Sequence, residues 1–188
     1  MSDSIMIRHS AYKVDWTELD REELGKLLRH EKDPGIDEEK FEELLDIEKL
    51  QRKDFEKIYT SPLKRARQTA EKISEILDIP VEEKEELHEY SFEGVPEEVF
   101  QDGSEAVRQY LLDRTREKSV QTEFLQKKID EDVIIISHGF KMRKFYMEIA
   151  ESVFENLRDD SKFREYLTGF DFETGDLVTL NSEMVDSS

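Results

Sequence analysis

The chain contains no cysteine, which removes disulfides, a thiolate nucleophile and any metal site built on sulfur. It lacks long apolar runs as well. The longest, Val133-Ile134-Ile135-Ile136, falls far short of the roughly 20 residues a membrane-spanning helix needs, so no membrane partner is expected. Met1-Ser2-Asp3-Ser4 has neither the basic start nor the apolar stretch of a secretory signal, and a cytoplasmic location is the expectation. Cations are scarce: 28 Lys and Arg stand against 47 Asp and Glu, a formal net charge of −19. Nucleic acid is therefore excluded as an expected partner. The same field repels phosphorylated small molecules at long range, so any phosphate site must be a local basic pocket set against the overall charge. Clustered arginines thereby become the residues to follow.

At 188 residues the length suits a single domain, 1–188, with a full core. Ser4 to Arg8-His9 is a compact, β-branched run of strand length. A charged stretch from Thr17 to Arg29 has helical character and is broken by Asp33-Pro34-Gly35. Phe41, Leu44, Leu45 and Ile47 recur at helical spacing, which predicts one helix from Asp37 to about Arg52. Phe55 to Thr60 reads as a second strand. Ser61-Pro62 follows as a helix start, with Ser as the cap and Pro in the first turn. Behind it Ala66, Ala70, Ile73 and Leu77 form one buried stripe, so this helix should run to Leu77. Pro80 to Leu87 suggests a short edge strand, Tyr90 to Gly103 a loop, and Ser104 to Lys128 a helix. The unbroken run from Asp132 to Ser137 is the pattern of a parallel strand buried on both faces. A helix from Lys141 to about Phe154 and a hairpin over Phe170 to Leu180 complete the chain. This order predicts an α/β fold, a three-layer α/β/α sandwich around a mostly parallel sheet.

Three predicted strands end in polar residues, at Arg8-His9, Thr60-Ser61 and Ser137-His138. In open α/β sheets the carboxyl ends of the strands border the ligand crevice. Parallel strands would bring His9, His138 and the Ser61 helix start to one edge. A helix start offers free N–H groups and the positive end of a dipole, and Arg65 lies in its first turn, so the set suits an oxyanion. Arg8 adds a second guanidinium fork. Arg67 lies on another helical face and reads as a surface residue, and His30 and His88 read as ordinary. Lys141 and Arg143, just past His138, either meet a substrate anion or solvate a helix start.

Arg8-His9-Ser10 resembles the Arg-His-Gly signature of the histidine phosphatase, or phosphoglycerate mutase-like, superfamily. Thr60-Ser61-Pro62-Leu63-Lys64-Arg65-Ala66-Arg67-Gln68-Thr69-Ala70 is similar to its phosphate-pocket helix, and Ser137-His138-Gly139 to its late Ser-His-Gly. Asp33-Pro34-Gly35-Ile36-Asp37 and Leu87-His88-Glu89 are weaker echoes. Ser10 stands where members carry Gly, Asp15 where they usually carry Asn, and Phe92 or Glu93 where a Gly is expected after the acid. The resemblance implies a metal-independent and cofactor-free hydrolysis of a phosphorylated small molecule or phosphoprotein. His9 is the implied nucleophile, with Arg8, Arg65 and His138 holding phosphoryl oxygens and Glu89 serving as general acid and base. Arg8, Ser61, Arg65, His138, Lys141 and Arg143 are the candidate substrate-binding residues, and no metal ligands are expected. A cofactor-dependent phosphoglycerate mutase and a non-catalytic phosphate-binding relative are the alternatives.

Overall fold

The computed structural model describes residues 4–45, 47–118, 124, 131–145 and 177–180. Strands β1 (Ser4–Arg8), β2 (Lys57–Thr60), β3 (Val81–Glu83), β4 (Val133–Ser137) and β5 (Leu177–Leu180) make one sheet in the order β3-β2-β4-β1-β5. The first four run parallel, and β5 lies antiparallel along the outer side of β1. β4 holds the centre and is buried over its whole length, as its β-branched run requires. This is the predicted α/β fold with a mostly parallel sheet. Among the described residues, no helix is long and apolar enough to cross a membrane.

Side-chain alternation divides the sheet between two faces. Ile5 and Ile7, Ile58, and Ile134 and Ile136 enter one core together with Ala66, Ala70 and Ile73 of the helix Lys64–Leu77. The stripe read from the sequence is thus the one that packs. Met6 and Ile135 point to the opposite face, and the helix leaving β4, residues 139–145, buries Met142 and Phe145. A smaller apolar cluster joins Leu24, Phe92, Val95, Val107 and Leu111 with Trp16 and Phe140. Its segments leave the carboxyl ends of β1, β3 and β4, so it roofs that edge of the sheet.

The helices are α1 (Arg21–Leu28), α2 (Glu38–Leu44), α3 (Ile47–Gln51), α4 (Lys64–Leu77), α5 (Glu97–Gln101) and α6 (Ser104–Arg116). Several differ from expectation. The stretch from Thr17 splits into a 3-10 turn, Trp16–Glu18, and α1, because Asp15 and Asp20 each accept from a backbone N–H and start a helix of their own. The single helix expected from Asp37 to Arg52 breaks at Leu45, which is extended. Phe41 and Leu50 both enter the main core, yet nine residues on an unbroken helix would set them about 180° apart. The break lets both pack. Pro96 opens α5 inside the expected loop. The edge strand is confined to β3 and gives way to a 3-10 turn at Glu85–Leu87. The expected helical ends beyond Lys118 and Phe145 and the first arm of the 170–180 hairpin lie outside the described residues.

α4 closes on Asp78, whose φ of 54° is left-handed and whose side chain is exposed. An L side chain there costs about 1–2 kcal/mol, and a carboxylate at a helix C-terminus opposes the dipole. Asp78→Gly removes both penalties while adding some chain entropy to the unfolded state. A net gain of about 1 kcal/mol, or a Tm about 2–4 °C higher, is expected in a thermal melt. An unchanged or lower Tm would show that Asp78 makes a compensating interaction.

Candidate active site

The carboxyl ends of the central strands assemble the site. The backbone N–H groups of His9 and Ser61 donate to Ser137 and Ile136 on β4 at 3.1 Å each, which continues the ladder one step past the strands. Side chains that follow the strands therefore start from fixed positions. His9 is buried, and its Nδ1 lies 2.7 Å from the Ser10 carbonyl oxygen. A carbonyl only accepts, so Nδ1 carries the proton and Nε2 is unprotonated. Arg65 Nε donates to that Nε2 at 3.3 Å. Burial, then the charges of Arg65 and Arg8, hold the His9 pKa well below its usual range against the pull of the Ser10 carbonyl. The imidazole is neutral at physiological pH.

Arg65 is itself buried, with 4% exposure, so its fixed charge needs a partner. Asp33 supplies one through an ion pair of 2.8 Å to a terminal guanidinium nitrogen. The other oxygen of Asp33 accepts from the backbone N–H of Lys64 and thereby caps α4 across a gap of 31 residues. The ring of Tyr12 lies 5.3 Å below the guanidinium and meets the His9 ring edge-on at 5.0 Å. Arg8 crosses close to Gly139, where an added Cβ would stand 3.2 Å from its guanidinium carbon. A side chain at 139 would push Arg8 aside.

His138 packs beside His9 with ring centroids 5.0 Å apart, and its Nε2 lies 2.7 Å from Ser61 Oγ. Its Nδ1 is buried with no hydrogen-bond partner among the described residues. Burial first, then Arg65 and His9, keep His138 neutral as well. Ser137 Oγ donates to the Leu87 carbonyl at 2.9 Å and ties the segment leading to Glu89 onto β4. The Glu89 carboxylate accepts from the N–H groups of Tyr90, Phe140 and Lys141 at 2.9, 3.3 and 3.1 Å. Those bonds and the arginine charges favour the anion, yet burial outweighs them and raises the Glu89 pKa above its usual value.

Arg8, His9, Arg65 and Glu89 face one pocket of about 250 Å³, which extends under the apolar roof. Two cations, a neutral imidazole and a carboxyl with a raised pKa around one small cavity suit binding and transfer of an oxyanion. Among the described residues, no three His, Asp or Glu side chains converge as a metal-binding set.

The model of the histidine phosphatase superfamily (branch 1) matches residues 6–176. This chain belongs to that superfamily. As an enzyme it is of the histidine phosphatase type. A sequence relative, an uncharacterized phosphoglycerate mutase family protein of Acanthamoeba polyphaga mimivirus, is 28% identical over 149 residues, 70% of this chain and 71% of the relative. Phosphoserine phosphatase of Entamoeba histolytica shares the fold with a TM-score of 0.58 at 20% identity, over 95% of this chain and 90% of its own. The SixA protein of Agrobacterium tumefaciens gives 0.53 at 16% identity, over 97% and 92%.

On this histidine phosphatase scaffold the six signature positions fall into two layers. Arg8, His9, Arg65 and Glu89 border the pocket, whereas His138 and Ser61 are fully buried behind them. Ser61 does not cap α4 as expected. Leu63 is the N-cap, and Ser61 Oγ accepts weakly from its N–H while engaging His138. Arg143 is on the pocket wall. Lys141 is not: its ammonium sits 4.8 Å over the Tyr90 ring beside a separate depression. Arg67 pairs with Glu71 and Glu83 on the surface, as its helical phase predicts. Asp15, where family members usually carry Asn, accepts from the backbone N–H and hydroxyl of Thr17.

Sequence reasoning missed Tyr12, Asp33, His30 and Arg108. Asp33 was visible as part of a helix break and of a weak family echo, with no side-chain role attached. His30 sits on the pocket wall at φ 60°, with its ring 4.8 Å from that of His88, and its pKa is lowered to about 4 by burial and then by His88. The left-handed turn after α1 brings it there, and no local pattern announces that. Arg65→Ala should weaken inhibition by vanadate or phosphate about 10- to 100-fold, the value of a hydrogen bond to a charged group. Arg67→Ala should leave it within twofold. Equal losses at both positions, with folding intact by circular dichroism, would contradict this assignment.

Proposed function

We propose that the chain is a phosphatase that hydrolyses phosphomonoesters, or a phosphoprotein, without metal through a phosphohistidine on His9. The observation that carries this reading is the fixed tautomer of His9, whose unprotonated Nε2 accepts from Arg65 Nε at the pocket wall. The solved structures that share its fold include enzymes named for hydrolysis of phosphoserine, phosphohistidine and glucosyl-3-phosphoglycerate, which supports hydrolysis over transfer to a second organic acceptor.

In the first step Nε2 of His9 attacks phosphorus, the bond to the leaving oxygen breaks, and Glu89 gives that oxygen its proton. Arg8 and Arg65 hold phosphoryl oxygens as charge develops, and His138, whose ring packs 5.0 Å from that of His9, backs the nucleophile from behind the pocket wall. In the second step the Glu89 carboxylate takes a proton from water, the water oxygen bonds to phosphorus, and the N–P bond breaks. Ser61 orients His138, and Arg143 adds positive charge to the pocket wall for the anionic ester.

The shifts fix the pH dependence of kcat/KM. His9 must be neutral, and its pKa is lowered, so activity persists below pH 6.5 and falls only well into the acid range. Glu89 must be protonated, and its pKa is raised, so the alkaline limb lies above the ordinary carboxylate value of 4.5. After correction for the substrate's own ionisation near about 6, Glu89→Gln should abolish the alkaline limb and keep the acid one. The loss should be about 10²–10⁴-fold with alkyl phosphates and much smaller with p-nitrophenyl phosphate, whose leaving group needs no proton. An alkaline limb that survives in Glu89→Gln would assign the acid elsewhere.

A further inference from the structure

The pocket beside His9 has two chemically different ends. Arg8, Arg65, His9 and Glu89 form the polar end, where the phosphoryl group reacts. Beyond it Tyr12, His30, Arg108 and Arg143 share the wall with a larger apolar part, Trp16, Leu27, Leu28, Phe92, Leu112 and Phe140. All of these apolar residues except Phe92 are half-buried, so they retain apolar surface for an occupant to cover. A phosphoryl group within reach of His9 leaves the remainder of the same pocket for the organic part of the substrate.

The chemistry of the wall selects the occupant. A polyol would give up water around each hydroxyl, and the apolar side chains that make up the larger part of this wall return no hydrogen bonds. An apolar body gives up no hydrogen bonds and removes both its own surface and that of the wall from water. Charge acts in the same direction. On a chain of net charge −19, a second anionic group on the substrate adds to the work of approach, whereas an uncharged body does not. Arg108 and Arg143 also line the pocket and are the groups that would receive a carboxylate, but Arg108 already lies 3.9 Å from Glu105.

We infer that the natural substrates are phosphomonoesters of small apolar alcohols, alkyl or aryl, rather than phosphorylated sugars or hydroxy acids. This rests on the phosphatase reading of the site. About 250 Å³ lies just below the range of about 300–1,000 Å³ for drug-sized ligands, which accommodates a phosphoryl group and a compact organic body.

The test is kcat/KM across ethyl, butyl, hexyl and benzyl phosphates against glycerol 1-phosphate, phosphoserine and 3-phosphoglycerate, all esters of alcohols that need the same proton. The rate constant should climb at least 10-fold from ethyl to hexyl or benzyl phosphate, in line with the usual return on a methylene in an apolar pocket. The polar esters should stay at or below ethyl phosphate. Leu27→Gln should bring the hexyl-to-ethyl ratio toward one. Should that variant not fold, competitive inhibition of the wild type by hexylphosphonate against 2-hydroxyethylphosphonate reads the same preference, with at least a 10-fold difference expected. A flat alkyl series, or phosphoserine or 3-phosphoglycerate as the best substrate, overturns the inference and leaves the phosphatase reading standing. No hydrolysis of any ester, with tight binding of hexylphosphonate, would instead overturn the phosphatase reading and keep the apolar pocket.

Discussion

A guanidinium held in the interior, between a carboxylate and an unprotonated imidazole nitrogen, constrains everything around it. Arg65 cannot shed its charge, so at 4% exposure it requires the Asp33 ion pair at 2.8 Å. That requirement draws the loop after α1 against the first turn of α4, where Asp33 also satisfies the N–H of Lys64. The same cation faces Nε2 of His9 and holds its proton off. One buried charge thus positions a loop, starts a helix and keeps the His9 imidazole neutral.

The remaining elements manage charge around that point. A strongly acidic surface would repel a phosphate ester, and the pocket answers with Arg8, Arg65, Arg108 and Arg143 on its wall and one carboxyl, Glu89, that burial inclines toward its neutral form. Glu89 is fixed by backbone N–H groups from the start of the helix after β4, and Ser137 anchors the segment that delivers it. β4 therefore carries more than core packing. It sets His9 through the Ser137 carbonyl, Ser61 through the Ile136 carbonyl and the segment leading to Glu89 through the Ser137 hydroxyl.

Much of this was legible in the sequence because it is periodic or local. The β-branched run of β4, the α4 stripe and the polar residues closing three strands each follow from a few neighbouring side chains, and together they place His9, Arg65 and His138 at one edge. What escaped depends on partners far along the chain. Asp33 meets Arg65 across 32 residues. Ser61 looked like a cap because its neighbours fit one, yet His138, 77 residues away, engages its hydroxyl. The break at Leu45 follows from a core that wants Phe41 and Leu50 on the same side. Lys141 has a plausible sequence position for an anion ligand, but the Tyr90 ring takes its ammonium.

The central claim is that a covalent bond forms between phosphorus and His9, and trapping it is the most direct measurement. Wild-type protein mixed with a ³²P-labelled monoester and quenched within milliseconds should carry label that is lost in acid, survives alkali and maps by peptide mass to His9. His9→Ala should carry none. Acid-stable label, or label that persists in His9→Ala, would contradict the account.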